Sequence, residues 1–131
     1  MKKRLLLIED NEDNRYLIKF ALEVSTDWKI IAVSNGREGI DIAKLQQPDA
    51  ILLDYIMPKM DGLTVCKILH DNPSTRNIPI IFVTGMVDSK FYSLLEDTYA
   101  AGVIEKPLNV NTLASQIQKI CQWKKHLVVD N

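Results

Sequence analysis

Cysteine and histidine are scarce in this chain, with two of each among 131 residues. Cys66 and Cys121 fall inside segments of helical period and read as small apolar side chains; no second Cys or His stands at ligand spacing. The chain is therefore read as lacking a disulfide framework and a zinc site, which fits a reducing cytoplasm. No apolar run approaches the roughly 18 residues of a membrane span. The basic start Met1-Lys2-Lys3-Arg4 leads into only Leu5 to Ile8 before Glu9-Asp10, short of the about seven apolar residues that a signal peptide needs. Neither charge sign dominates: 16 Lys and Arg stand against 17 Asp and Glu, a net charge of −1. That balance gives no electrostatic reason to expect nucleic acid or a membrane surface as partner. A glycine-rich phosphate loop is missing after the first apolar run, where Asn11-Glu12-Asp13-Asn14 stands instead.

What is present is an ordinary globular composition, 47% apolar and 25% charged, at a length that folds as one domain and buries roughly two-thirds of the unfolded surface. Short apolar runs alternate with helical patterns. Strands are expected at Arg4 to Ile8, Ile30 to Val33, Ala50 to Asp54, Ile78 to Thr84 and Val103 to Glu105. Several are apolar throughout, as suits parallel strands covered on both faces. Leu17, Ala21 and Val24 mark the core stripe of a first helix, Ile40 and Ala43 of a second, Val65 and Leu69 of a third, and Phe91 and Leu95 of a fourth. Val110, Leu113, Ile117 and Ile120 mark the fifth, with Asn109 or Asn111 as its cap. This alternation predicts an α/β fold, a five-stranded parallel sheet with helices on both sides.

In such a sheet, ligands bind beyond the C-terminal ends of the strands, where strand order reverses. Four polar signals fall at those ends: Glu9-Asp10, Asp54, Thr84 and Lys106-Pro107. Three carboxylates close together require a proton or a cation between them. Carboxylate oxygens suit Mg²⁺ or Mn²⁺ rather than Zn²⁺. With the metal bound, Asp54 is an oxygen nucleophile for in-line attack on phosphorus, and metal, Lys106 and Thr84 would share the three equatorial phosphoryl oxygens.

Asp10 precedes Asp54 by 44 positions, and Thr84 and Lys106 follow it by 30 and 52. With these spacings and the stretch Asp54-Tyr55-Ile56-Met57-Pro58-Lys59-Met60-Asp61-Gly62, the sequence from about Lys3 to Cys121 resembles the receiver domain of two-component response regulators. The resemblance implies a doubly wound, flavodoxin-like (βα)5 fold with strand order 2-1-3-4-5. It makes Asp54 the phosphoacceptor, Asp10 a direct metal ligand, Glu9 a ligand largely through water, and the backbone carbonyl of Ile56 a further ligand. Thr84 would sense the phosphoryl oxygen, Lys106 would pair with the phosphate, Gly85 would leave room for it, and the Lys106-Pro107 bond would be cis. The implied partner is a sensor histidine kinase or a histidine phosphotransfer protein. Output would pass through the face formed by the fourth helix, fifth strand and fifth helix, in a monomer or a homodimer favoured by phosphorylation.

Three departures from the family pattern involve four positions. Val103 stands where many relatives carry Tyr or Phe, so the aromatic readout would be smaller, shifted to Phe91 or Tyr92, or lacking. Glu9 replaces Asp and keeps the acidic pair. Ile56 and Met86 are apolar where relatives often carry water-orienting groups, which predicts slow self-dephosphorylation. The receiver is expected over residues 1–123 with a short tail at 124–131, Trp123 covering the base of the fifth helix, and no room for an output domain. A stand-alone signalling phosphoacceptor follows, catalysing only its own phosphoryl transfer. Two other readings remain: a pseudo-receiver that ignores phosphate, which Val103 favours, and an enzyme on the same architecture. Against the latter, Ile56 stands where a phosphatase would place a second Asp, and His70 and His126 read as solvated, without carboxylate partners.

Overall fold

Five short apolar runs become strands because each has both faces covered. A computed structural model describes residues 2–57, 59–85 and 89–123. The strands are β1 (Arg4–Ile8), β2 (Lys29–Val33), β3 (Ala50–Asp54), β4 (Ile80–Thr84) and β5 (Gly102–Glu105), and the helices α1 (Glu12–Ser25), α2 (Gly36–Gln46), α3 (Gly62–Asp71), α4 (Ser89–Glu96) and α5 (Leu113–Cys121). All strand pairs are parallel, in the order β2-β1-β3-β4-β5. The chain leaves β1 for β2 on one side and returns as β3 on the other, so strand order reverses between β1 and β3.

Alternation along each strand divides the core in two. Leu5, Leu7, Leu52 and Val83 pack with Ile18 and Leu22 of α1 and Ile117 of α5. Leu6, Ile8, Leu53 and Phe82 pack with Ile40 of α2 and Leu69 of α3. Helix α2 sits so close to the sheet that a Cβ at Gly39 would lie 2.3 Å from Ile8 Cδ1. Helices α1, α2 and α3 begin at Asn11, Asn35 and Asp61, whose side chains accept the N–H of Asn14, Glu38 and Thr64 respectively.

The fold and strand order match the sequence reading, but several local expectations are corrected. In α1 the buried residues are Ile18 and Leu22, while Leu17 and Val24 are exposed; the core stripe lies one residue out of phase with the expected one. Ile78 lies outside β4, because its N–H closes a turn onto the Thr75 carbonyl and Pro79 follows. Helix α5 starts after Thr112, and Asn109 accepts the N–H of Asn111 in its own turn rather than capping it. Val110 precedes the helix and is exposed. His70 is half-buried, its ring stacked on Tyr99. Trp123 packs edge-on against Trp28 at 5.1 Å, closing the α1–α5 side of the core. Pro58, Met86, His126 and the tail at 124–131 lie outside the described residues.

Candidate functional site

Four adjacent strands, β1, β3, β4 and β5, deliver a polar residue to the same sheet edge. Glu9 and Asp10 follow β1, Asp54 and Thr84 end β3 and β4, and Lys106 follows β5. The acidic groups flank the place where strand order reverses. One oxygen from each of Glu9, Asp10 and Asp54 lies within 4.8 Å of the others. Lys106 Nζ is 3.5 Å from both Glu9 Oε1 and Asp54 Oδ1.

Glu9 and Asp54 are 1% and 6% exposed, whereas Asp10 faces solvent. Glu9 Oε2 accepts the Asn11 N–H at 3.2 Å. Its Oε1 is buried without a hydrogen-bond partner among the described residues. Burial first, and then the hydrogen bonding and charge of the neighbouring Asp54 carboxylate, push Glu9 from 4.5 up to about 7, while the Asn11 N–H and Lys106 pull it back. A protonated Glu9 can donate to Asp54; an ionised one has the Lys106 ammonium 3.5 Å from Oε1 but, among the described residues, no hydrogen bond there. The all-oxygen donor set, with more carboxylate charge than one ammonium balances, fits a hard divalent ion such as Mg²⁺.

The loop after β3 holds Asp54 in place. The Ile56 N–H donates to Asp54 Oδ1 at 3.3 Å, the Tyr55 N–H to the Val83 carbonyl at 3.1 Å, and the Gly62 N–H to the Tyr55 carbonyl at 3.0 Å. A Cβ at Gly62 would stand 2.9 Å from both the Asp54 carbonyl oxygen and Tyr55 Cα, so only glycine lets α3 start there. Tyr55 is wedged edge-on between Phe82 and Phe91. Across the pocket, Thr84 is buried, and its carbonyl accepts the Lys106 N–H at 2.9 Å. The Lys106-Pro107 bond is cis. Beside Gly85 there is room: among the described residues beyond its chain neighbours, a Cβ would first meet Lys106 Cβ at 3.8 Å.

The structure thus brings Glu9, Asp10, Asp54 and Lys106 together and sets Thr84 on the neighbouring strand end. Val103 is half-buried on the α2–α3 side of the sheet. The α4 aromatics are placed differently from one another: Phe91 is buried on Tyr55, and the exposed Tyr92 donates its hydroxyl to Glu105 at 3.2 Å. Two features escaped the sequence reading. Arg15 donates to the Glu9 carbonyl at 3.0 Å and the Asp10 carbonyl at 3.4 Å, and α1 shows solvent an apolar face of Tyr16, Leu17, Phe20 and Val24. The second had a signal, since α1 carries apolar residues on more than one side; the first had none beyond a basic residue one turn after an acidic pair.

Comparison with known proteins gives a consistent picture. Residues 5–118 match the family described as the response regulator receiver domain. The polar-differentiation response regulator DivK of Brucella anthropi is 34% identical over 110 residues, covering 84% of this chain and 89% of DivK. Response regulator PleD of Caulobacter vibrioides is 31% identical over 99% of this chain, which spans only 28% of PleD's length. Among solved structures, the receiver domain of sensor histidine kinase PA1611 from Pseudomonas aeruginosa superimposes with a TM-score of 0.83 at 24% identity, covering 93% of this chain and 99% of that one. That structure holds a magnesium ion coordinated in its active-site cleft.

Proposed function

The chain belongs to the response regulator receiver family, and on that premise we propose that it accepts a phosphoryl group on Asp54 from a phosphohistidine donor, with Mg²⁺ held by Glu9, Asp10, Asp54 and the Ile56 carbonyl. The observation that carries this reading is the convergence of three carboxylates and one ammonium at the strand-order reversal, with Glu9 Oε1 buried and, among the described residues, without a hydrogen bond. Bound Mg²⁺ would neutralise charge on the phosphoryl group in flight. An Asp54 oxygen attacks phosphorus, the phosphorus–nitrogen bond breaks, and the imidazole nitrogen of the donor keeps the electron pair and takes up a proton. Lys106, now 3.5 Å from Asp54, pairs with a phosphoryl oxygen, and the Thr84 hydroxyl meets another beside the space at Gly85. The same residues serve the separate hydrolysis of the acyl phosphate, in which water attacks phosphorus, the bond from phosphorus to the Asp54 oxygen breaks, and Asp54 leaves as a carboxylate with inorganic phosphate as product.

The donor is a histidine kinase or a histidine phosphotransfer protein. Its seat is the apolar face of α1, which begins within a turn of the acidic pair and leaves Tyr16 and Phe20 75% and 56% exposed. Output passes by relay of the phosphoryl group or by protein docking on the face of α4, β5 and α5, where the Tyr92–Glu105 bond ties α4 to β5. The likeness to DivK over 89% of that regulator's length favours action as a single receiver. Free cysteines at Cys66 and Cys121, with thiols pushed up by burial, fit a reducing cytoplasm.

Intact mass after incubation with a small phosphodonor and Mg²⁺ tests the reading. One phosphoryl adduct is expected, absent from Asp54→Asn and from a chelated control. Val103 favours a second reading, a receiver-shaped interaction module indifferent to phosphate; folded protein that binds Mg²⁺ yet forms no adduct would establish it.

A further inference from the structure

Arg15 holds the main chain of both acidic residues at once. From the first turn of α1 its Nη1 donates to the Glu9 carbonyl at 3.0 Å and to the Asp10 carbonyl at 3.4 Å. Its own backbone N–H donates to the Asn11 carbonyl at 2.9 Å. Asn11 in turn accepts the Asn14 N–H at 2.8 Å and gives its N–H to Glu9 Oε2 at 3.2 Å. The β1–α1 turn is tied from both sides, and the two carboxylates keep little freedom beyond their side-chain torsions. We infer that Arg15 is a positioning residue for the cation site: by clamping two consecutive carbonyls it presents the Glu9 and Asp10 carboxylates toward Asp54 before a cation arrives. The inference rests on the metal-dependent function proposed above.

Two effects of opposite sign meet at Arg15. Its guanidinium is charged at any working pH, and as a charge it opposes an incoming divalent cation. As a clamp it removes ordering that the cation would otherwise have to impose. A partly exposed charge is screened by water and salt, whereas groups that orient metal ligands commonly change affinity by about 10–100-fold. The clamp outweighs the charge, so removing Arg15 weakens binding; the opposite sign would mean that the charge dominates.

The experiment measures Mg²⁺ binding calorimetrically on the full chain as wild type, Arg15→Gln and Arg15→Lys. Alongside go the thermal midpoint without Mg²⁺ and the rate of Asp54 phosphorylation by a small donor as Mg²⁺ is raised. Arg15→Gln is expected to bind Mg²⁺ roughly tenfold more weakly, with its phosphorylation rate recovering toward wild type at saturating Mg²⁺. Arg15→Lys keeps the charge, but its ammonium ends one atom short of Nη1 and lacks the fixed aim of the planar guanidinium, so this variant is expected between the two. A residue that only stabilised α1 would lower the thermal midpoint and leave Mg²⁺ affinity alone. Unchanged or tighter binding by Arg15→Gln overturns the inference, as does wild-type affinity in Arg15→Lys should Arg15→Gln not fold. A wild type that binds no Mg²⁺ overturns both the metal-dependent function and the role of Arg15; normal binding by wild type and variant alike overturns only the latter.

Discussion

At Glu9, burial and charge conflict. Its folded pKa of about 7 lies above the ordinary 4.5, so between those values the metal-free folded state holds a proton that the unfolded chain has lost. The stability this proton contributes is fully present below about pH 4.5 and is lost as pH rises through about 7. Mg²⁺ must displace the same proton, so its apparent affinity should climb with pH and level off above about 7. Where Glu9 is mostly protonated the slope approaches roughly tenfold per pH unit. Glu9→Gln should flatten that climb in a calorimetric titration series, and a slope as steep as wild type's would place the proton on another group. Ile56 sets a second expectation. Its side chain is 55% exposed at the site while its N–H is bound to Asp54 Oδ1, so it offers an approaching water no hydrogen bond. Ile56→Asn should shorten the phosphoryl half-life; an equal or longer half-life would show that the side chain gives no such protection.

Among the elements, α3 depends most on a single position. Its first residue, Gly62, lies against the backbone of Asp54 and Tyr55, where a methyl group would come within 2.9 Å of atoms that cannot swing aside. Gly62→Ala should cost about 1–3 kcal/mol of stability through the forced backbone shift, and it should slow phosphorylation because the shift moves Asp54. A denaturant midpoint equal to wild type's would mean that the loop yields freely. The site's elements could be read from sequence because its polar residues end unbroken apolar runs, and a run such as Ile51-Leu52-Leu53 fixes where its strand stops. Helix faces were harder. In α1 a helical period is present, but Leu17 and Val24 compete with Ile18 and Leu22 for the inward side, and periodicity gives spacing without phase. At α5, Asn109 and Asn111 are both of capping type, and only the local turn between them shows why neither caps the helix. The Arg15 clamp needed three dimensions, since nothing in a sequence says which carbonyl a guanidinium will reach.

Taken whole, the molecule has a reactive end and a closed end. The reactive end gathers the strand termini, and the apolar face of α1 starts beside it. If a phosphohistidine protein docks there, Phe20→Asp should cut transfer from that protein by roughly tenfold or more, while phosphorylation by a small donor stays unchanged. Because Phe20 is exposed, the fold should tolerate the change; equal losses with both donors would place the effect at Asp54 instead. The closed end holds both tryptophans of the chain: Trp28 immediately precedes β2, and Trp123 meets it edge-on. Tyr55 adjoins Asp54 at the other end. Strands of five residues separate the two ends by roughly 16 Å. The protein therefore carries an optical reporter confined to its closed end: indole emission comes from Trp28 and Trp123 alone, whereas tyrosine emission would sum Tyr55 with Tyr16, Tyr92 and Tyr99. A change in indole emission on phosphorylation, with the fold intact, would reveal that strain crosses the full length of the sheet.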